Sequence, residues 1–372
     1  GGSEVYVERI AAELVAGGFR ATVVCAAHPQ APAQETTATG VRMVRRGGRR
    51  TVYLRAALLY LAGWFGFGPL AARRLGRPDV VVDVCNGMPF FSILYCRRPV
   101  VTLVHHVHRE QWPVVLPGPL ARVGWWIESW LAPRLYRGCA YVTVSEASRR
   151  ELASLGVDPG RVHVIHNGTP EHTFDPVPRD DAPLLVVLGR LVPHKQVEVA
   201  LDAVAKLSPE VPDLALVVAG QGWWEPRLRE RAAELGISER VRFAGFVTDA
   251  EKHALFSRAW LALTPSLKEG WGLTIVEAGA RGTPTVAFRH AGGVAEALSD
   301  GTTGLLAEDD EDFIAKVRTL VLDREQRVAM GHAAIAHAAS FTWANAGVRF
   351  AAVLCATTTK APALVTPVTQ AS

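Results

Sequence analysis

No C-x-x-C pair, no G-x-x-x-x-G-K-[ST] run and no apolar stretch of ordinary membrane-spanning length occurs in this sequence. Each absence removes a class of protein. The five cysteines, Cys25, Cys85, Cys96, Cys139 and Cys355, are odd in number and scattered, which argues against a disulfide scaffold and for a reduced, cytoplasmic setting. The missing P-loop excludes a Walker-type NTPase, and Gly220-Gln221-Gly222 fails as a dinucleotide fingerprint because position 225 is Glu. The most membrane-like run, residues 56–72, has seventeen residues with three glycines and a proline, so it predicts a buried helix rather than a span. No signal peptide is read ahead of the first element. A net charge of +4 suits anionic substrates or an acidic membrane surface, and without any recognition module it argues against a nucleic-acid binder.

What is present is organised around residues 264–286, T-P-S-L-K-E-G-W-G-L-T-I-V-E-A-G-A-R-G-T-P-T-V. Short apolar runs at 259–263 and 285–288 predict strands. Between them residues 273–281 predict a helix stopped by Gly282 and Pro284. In an open parallel sheet, ligands bind outside the carboxyl ends of the strands, and Glu269, Gly270 and Gly272 fall there. The glycines allow close backbone approach, and the amides near Leu273 and Thr274 favour an anion. Were the segment from Glu269 to Glu277 fully helical, eight residues would separate the carboxylates by about 12 Å, enough for both to grip one elongated ligand.

Earlier in the chain, a strand at Leu184–Leu188 leads into Gly189-Arg190-Leu191-Val192-Pro193-His194-Lys195 and then a helix at Val197–Leu207. Arg190 and Lys195 are placed to hold a diphosphate with one fork and one point charge. The plain alternative is two solvated basic residues in a loop. Strands at 79–84 and 99–104 precede His105, His106 and His108. These are not a helical i, i+4 pair, and Glu110 is their only nearby carboxylate, so no metal is expected.

The remaining segments are read in the same way. Gly1-Gly2 predicts a loop opening a helix at 3–16, and 21–26 a strand. Arg42, Arg45, Arg46, Arg49, Arg50 and Arg55 put six arginines in fourteen residues, suited to anionic lipid headgroups or to a solvated loop. Residues 112–136 carry four tryptophans flanked by Arg122, Arg134 and Arg137; they fit an amphipathic helix on a membrane or a lipid-linked acceptor, or a helix packed under a cleft. Ser145 is an N-cap candidate for a helix at 147–155. Residues 169–183 read as a linker, 341–357 as an apolar helix and 358–372 as a disordered tail.

The E-x7-E spacing of Glu269 and Glu277 within S-L-K-E-G-W-G-L-T-I-V-E-A-G-A-R-G-T-P resembles the signature of glycosyltransferase family 4, retaining enzymes of the GT-B fold. The G-R-x-x-x-x-K run is similar to that family's donor-phosphate motif. The resemblance covers nearly the whole chain except the tail. It implies an α/β protein of two facing Rossmann-like domains with an interdomain cleft: an acceptor-side domain at 1–170, a nucleotide-sugar domain at 171–340, and a helix at 341–357 returning to the first domain. It also implies a strand and part of a glycine-rich loop upstream of Gly1.

The implied activity is transfer of a sugar from a nucleoside diphosphate sugar to a polysaccharide, glycolipid or lipid-linked acceptor. The implied catalytic residues are Glu269, His105, Arg190 and Lys195. Donor binding is implied for Gly2, Gly189, Arg190, Lys195, Gly220, Val247, Glu269, Gly270, Trp271, Gly272, Leu273, Thr274 and Glu277. No cofactor is implied, and the partners are the nucleotide sugar, the acceptor and peripherally an anionic membrane. A GT-B sugar-nucleotide epimerase and a catalytically silent sugar-nucleotide or lipid-binding protein are the alternatives.

Overall fold

The computed structural model describes residues 2–48, 50–116, 118–169 and 177–358. The chain divides into two compact units, one of residues 2–166 together with the segment from Trp343 onward, the other of Asn167–Thr342. Gly1, residues 170–176 of the linker and residues 359–372 of the tail lie outside the described residues.

In the first unit the strands are β1 (Thr22–Cys25), β2 (Gln34–Thr36), β3 (Arg42–Arg45), β4 (Val81–Val84), β5 (Val100–Val104), β6 (Ala140–Thr143) and β7 (Val162–Val164). They form a three-stranded sheet ordered β1-β3-β2 and a parallel four-stranded sheet ordered β4-β5-β6-β7. β5 is buried along its whole length, as a strand paired on both edges and covered on both faces must be. The helix Trp343–Thr357 packs on the helix Gly2–Ala16, burying Phe350 and Leu354 beside Ile10 and Leu14. The first helix starts at Gly2, so Gly2 is helical rather than part of a loop.

The second unit holds β8 (Leu184–Leu188), β9 (Ala215–Ala219), β10 (Val241–Gly245), β11 (Leu261–Thr264), β12 (Thr285–Phe288) and β13 (Gly304–Ala307). All are parallel, in the order β10-β9-β8-β11-β12-β13. The first three strands run outward to one side and the last three to the other, so the order reverses between β8 and β11. That reversal opens the crevice in which doubly wound sheets bind ligands. Both sequence-predicted ligand loops leave the sheet there, one after β8 and one after β11.

Three predicted elements differ. The helix expected at 273–281 is Leu273–Gly279, because its amides only begin at the left-handed Gly272 and its end is fixed by the turn through Gly282. The amphipathic segment 112–136 is broken into Trp112–Val115, Gly118–Trp126, a π-helical turn Ile127–Leu131 and Ala132–Leu135. Finally, the run expected to be a buried helix forms Val52–Trp64, of which only Val52 and Gly63 are buried. Ser145 caps its helix as expected, accepting from the Ser148 amide at 3.1 Å.

Candidate functional site

The loop after β8 and the loop after β11 meet in one pocket lined by Gly189, Arg190, Lys195, Thr264, Ser266 and Glu269, with Leu188, Leu191 and Leu263 among its apolar walls. They are tied by a backbone bond from the Leu267 amide to the His194 carbonyl at 2.9 Å. The Lys195 ammonium donates to Glu269 Oε1, which also accepts from Ser266 Oγ at 2.7 Å. Burial alone would raise the Glu269 pKa. The Lys195 charge and hydrogen bond, the Ser266 hydroxyl and His194 outweigh burial and hold the carboxyl below its ordinary value, ionised at neutral pH. Beside this pair the Arg190 side chain is exposed, and among the described residues no acid pairs with it. Arg190 is thus a strong anion-binding fork in waiting.

The glycines shape this pocket by letting backbones cross. A Cβ on Gly220, whose φ is +130°, would sit 1.8 Å from the Gly189 carbonyl oxygen, and one on Gly222 1.9 Å from that of Leu191. Gly189 and Leu191 donate to Ala219 and Gln221 at 3.0 Å each, and Gly220 donates to Gly245 at 2.7 Å. On the other side Gly292 and Gly293 lie under Glu269 and Gly270, and Glu269 exchanges backbone bonds of 3.0 Å with Ala291 and Gly293. From sequence, 291–293 reads only as a turn; in the structure it holds Glu269 in place.

The second glutamate is housed differently. The stretch between Glu269 and Glu277 is loop as far as Gly272, so the fully helical spacing does not apply. Glu277 is 4% exposed and accepts from Lys252 Nζ at 2.7 Å. Lys252, on the helix Asp249–Arg258, also meets Asp249 at 3.0 Å. Burial would lower its pKa, but Glu277 and Asp249 raise it above the ordinary lysine value. Nothing in sequence spacing links Lys252 to Glu277, which sit on different helices.

Other expected site residues separate. Trp271 is 3% exposed and packs edge-on against Phe341 at 5.0 Å, which makes it part of the core rather than of the pocket wall. Leu273 and Thr274 start a helix of only seven residues, whose dipole is correspondingly short. Val247 follows β10 and packs on the core beneath β8 and β9. Gly2 has open space beyond its Cα.

In the first unit, His105 follows directly on β5. It is 6% exposed, stands edge-on to Tyr6 at 5.2 Å, and has both ring nitrogens buried with no hydrogen-bond partner among the described residues. Burial, helped by His108 and opposed by Glu4, lowers its pKa to about 4, so the ring is neutral. A buried ring with both polar atoms unmatched costs stability and so points to a ligand contact. His106 and His108 lie with ring centroids 4.2 Å apart but turn to other partners. His106 Nε2 meets Gln111 at 3.0 Å, and His108 Nδ1 meets Glu128 at 2.9 Å. Glu128 also accepts from the Trp112 indole at 2.7 Å and sits on the π-helical turn, a residue the sequence reading passed over. Among the described residues no cluster of three or more His, Cys, Asp or Glu is placed to hold a metal ion.

Comparison with known proteins returns two families: residues 1–172 match "Glycosyltransferase Family 4" and residues 169–337 match "Glycosyl transferases group 1". The D-inositol 3-phosphate glycosyltransferase of Nocardia farcinica is 35% identical over 220 residues, covering 54% of this chain and 49% of that protein. The D-inositol 3-phosphate glycosyltransferase 2 of Catenulispora acidiphila is 38% identical over 224 residues, covering 54% and 52%. The chain thus spans about half the length of the curated relatives it matches. Among solved structures, sucrose-phosphate synthase from Thermosynechococcus elongatus superposes with TM-score 0.77 at 19% identity, covering 95% of this chain and 92% of that one. Anabaena HepE, solved with UDP and glucose, gives 0.73 at 19%, covering 96% of each. These likenesses give the fold class, α/β units on parallel sheets as in GT-B glycosyltransferases.

Proposed function

This chain belongs to glycosyltransferase family 4, and on that premise we propose that it moves a sugar from a nucleoside diphosphate sugar to an acceptor with retention at the anomeric carbon. The observation that carries the reading is the Lys195–Glu269 pair beside the unpaired Arg190, in the crevice where the sheet order reverses. Breaking the bond from the anomeric carbon to phosphate puts growing negative charge on the departing diphosphate. Arg190 and Lys195 offset that charge with fixed cations, the largest kind of contribution an enzyme commonly makes. Lys195 has three donors and can keep one on Glu269 while giving another to phosphate. Glu269, held ionised, accepts from donor-sugar hydroxyls.

The acceptor hydroxyl attacks on the face from which the diphosphate leaves, and its proton passes to the departing phosphate oxygen. No protein nucleophile and no metal take part in this scheme. Glu277 grips ribose hydroxyls, and His105, a neutral ring, hydrogen-bonds the transferred sugar. The acceptor belongs to the class of polysaccharides, glycolipids or lipid-linked precursors, and the enzyme works in the cytoplasm. UDP is the first nucleotide to try, since HepE was solved with it.

The test is incubation with UDP-, GDP-, ADP- and dTDP-sugars, measuring diphosphate release and the identity of the sugar. Slow release of diphosphate with an unchanged sugar supports a transferase. A changed sugar assigns an epimerase, and binding without either product assigns a silent binder.

A further inference from the structure

β7 is the last strand of its sheet, paired with β6 on one side only. The Ile165 amide turns to β6, donating to the Thr143 carbonyl at 2.8 Å, so the amide and carbonyl of Val164, one residue earlier, face the open side. The helix Trp343–Thr357 lies on that side, and Arg349 Nη2 donates to the Val164 carbonyl at 2.7 Å. An added strand would need the same carbonyl, so the edge is closed to pairing with another chain. What is left between helix and strand is a cleft of about 470 Å³, within the range of small-molecule sites. It exists because Ala352 and Ala356, one helical turn apart, present only methyl groups where larger side chains would fill the space.

The lining divides into a floor and a rim. Ile165 and Val353 are buried, at 1 and 7% exposure, and with the two alanines make an apolar floor. The rim carries Arg349, Arg149 and the exposed His163. Arg349 is exposed, and among the described residues no acid pairs with it; the Val164 bond occupies one of its five N–H donors. Arg149 reaches both oxygens of Glu146, the one carboxylate among the described lining residues, at 3.3 Å, and the Pro159 carbonyl at 3.2 Å. These are long bonds on a pair whose side chains are 36 and 46% exposed, so Arg149 can give up a partner with little loss. The Arg349 charge also reaches His166: burial and that charge lower the pKa of the ring to about 4 against the pull of Glu146, and the ring adds no charge of its own. Two guanidiniums against one carboxylate leave the rim net positive.

We propose that this cleft is a second ligand site, for a small organic phosphate whose apolar body lies on Ile165, Ala352 and Val353 while its phosphate takes the forks of Arg349 and Arg149. Arginine's planar fork matches phosphate oxygens two at a time, and a neutral apolar molecule would leave both guanidiniums unanswered. An inorganic ion would leave the floor uncovered. The lining comes wholly from the first unit and shares no residue with the donor pocket, so the inference stands apart from the proposed reaction. An occupant braces the helix Trp343–Thr357 against β7 and stabilises the fold by mass action.

The experiment is calorimetric titration of the full chain with phenyl phosphate, inorganic phosphate and benzyl alcohol, each with UDP at saturation so that the donor pocket is filled. The same titrations on Arg190→Ala, which lacks the donor fork, keep the two sites apart should UDP not bind. The expected result is one phenyl phosphate per chain, held about tenfold or more tighter than either fragment, with a raised melting temperature. Arg349→Gln should weaken it about tenfold, and Ala352→Phe, which fills the floor and leaves every charge in place, should abolish it. Arg149→Gln takes the place of Arg349→Gln if the latter lowers the melting temperature. UDP affinity should match the parent in all three variants. The proposal is overturned by no uptake of phenyl phosphate, by inorganic phosphate or benzyl alcohol binding as tightly, or by unchanged affinity in arginine and Ala352→Phe variants of parental stability, which would put the phosphate elsewhere on the chain.

Discussion

The two glutamates of the E-x7-E motif each sit against a lysine, yet the pairs are built for different work. Glu269 lies in a loop, its side chain 18% exposed, with its lysine 22% exposed and Arg190, without an acidic partner among the described residues, alongside. Glu277 lies inside a helix at 5%, with its lysine at 13%. The first pair can exchange a partner with an arriving ligand at little structural expense. The second cannot lose a member without stranding a buried charge. Sharing one motif therefore does not mean sharing one role: one glutamate is adaptable, the other is fixed.

That contrast can be broken most forcefully at the fixed end. Glu277→Ala should destabilise the fold by about 3 kcal/mol or more, since it leaves the Lys252 ammonium buried without its main counter-charge. The double variant Lys252→Met/Glu277→Leu should recover most of that loss in urea denaturation. A single variant as stable as the parent would put Glu277 in the adaptable class.

At the adaptable end, Lys195→Ala and Arg190→Ala should each weaken nucleoside diphosphate binding by about 1.5–3 kcal/mol, the worth of one charge-assisted contact, with melting temperature almost unchanged for Arg190. Calorimetric titration decides it. Unchanged affinity in both would remove the donor assignment. Glu269→Gln should lower turnover far more than nucleotide affinity, because its carboxylate is assigned to the sugar.

A smaller effect concerns pH. The folded-state pKa of Glu269 lies below its unfolded value, so its ionised form contributes stability above the unfolded pKa, and that contribution is lost as pH falls through the folded one. Lys195→Met removes the main cause of the depression and leaves burial opposed only by the Ser266 hydroxyl and His194, so the acid limb of a pH–turnover profile should move upward. A limb that stays put would mean that another group sets it. The smallest expected change is at the other histidines. His105→Ala should cost turnover, while His106→Ala and His108→Ala should be milder, and a strong chelator should leave activity standing. Chelator-sensitive turnover with one bound zinc would replace the cation scheme.

The parts of this picture legible in sequence are those set by local rules. β8 and β11 are short apolar runs ended by Gly189 and Pro265, β12 is one opened by Pro284, and the Gly189–Lys195 and Glu269–Gly272 loops follow from where the first two stop. The Ser145 cap is equally local. What escaped were contacts made by distant segments. Lys252 reaches Glu277 from another helix, Gly292 and Gly293 matter only because the Glu269 backbone lies on them, and Glu128 gathers His108 and Trp112 through a π-helical turn. Hydrophobicity alone also misplaced the helix Val52–Trp64. An apolar composition says that a surface will be covered, and not that the chain's own core will cover it.

The interlocked backbones of the pocket loops have a consequence for how the site opens. Gly189 hangs from Ala219, Leu191 from Gln221 and Gly220 from Gly245, so the loop after β8 cannot come away without unseating the loops after β9 and β10. Such a rim does not fray residue by residue; it belongs to the same cooperative unit as the strands beneath it. In hydrogen exchange, the amides of Gly189, Leu191 and Gly220 should be as slow as those of β8 itself, although they edge an open pocket. Rapid exchange at these three, with β8 protected, would mark the rim as a separate unit.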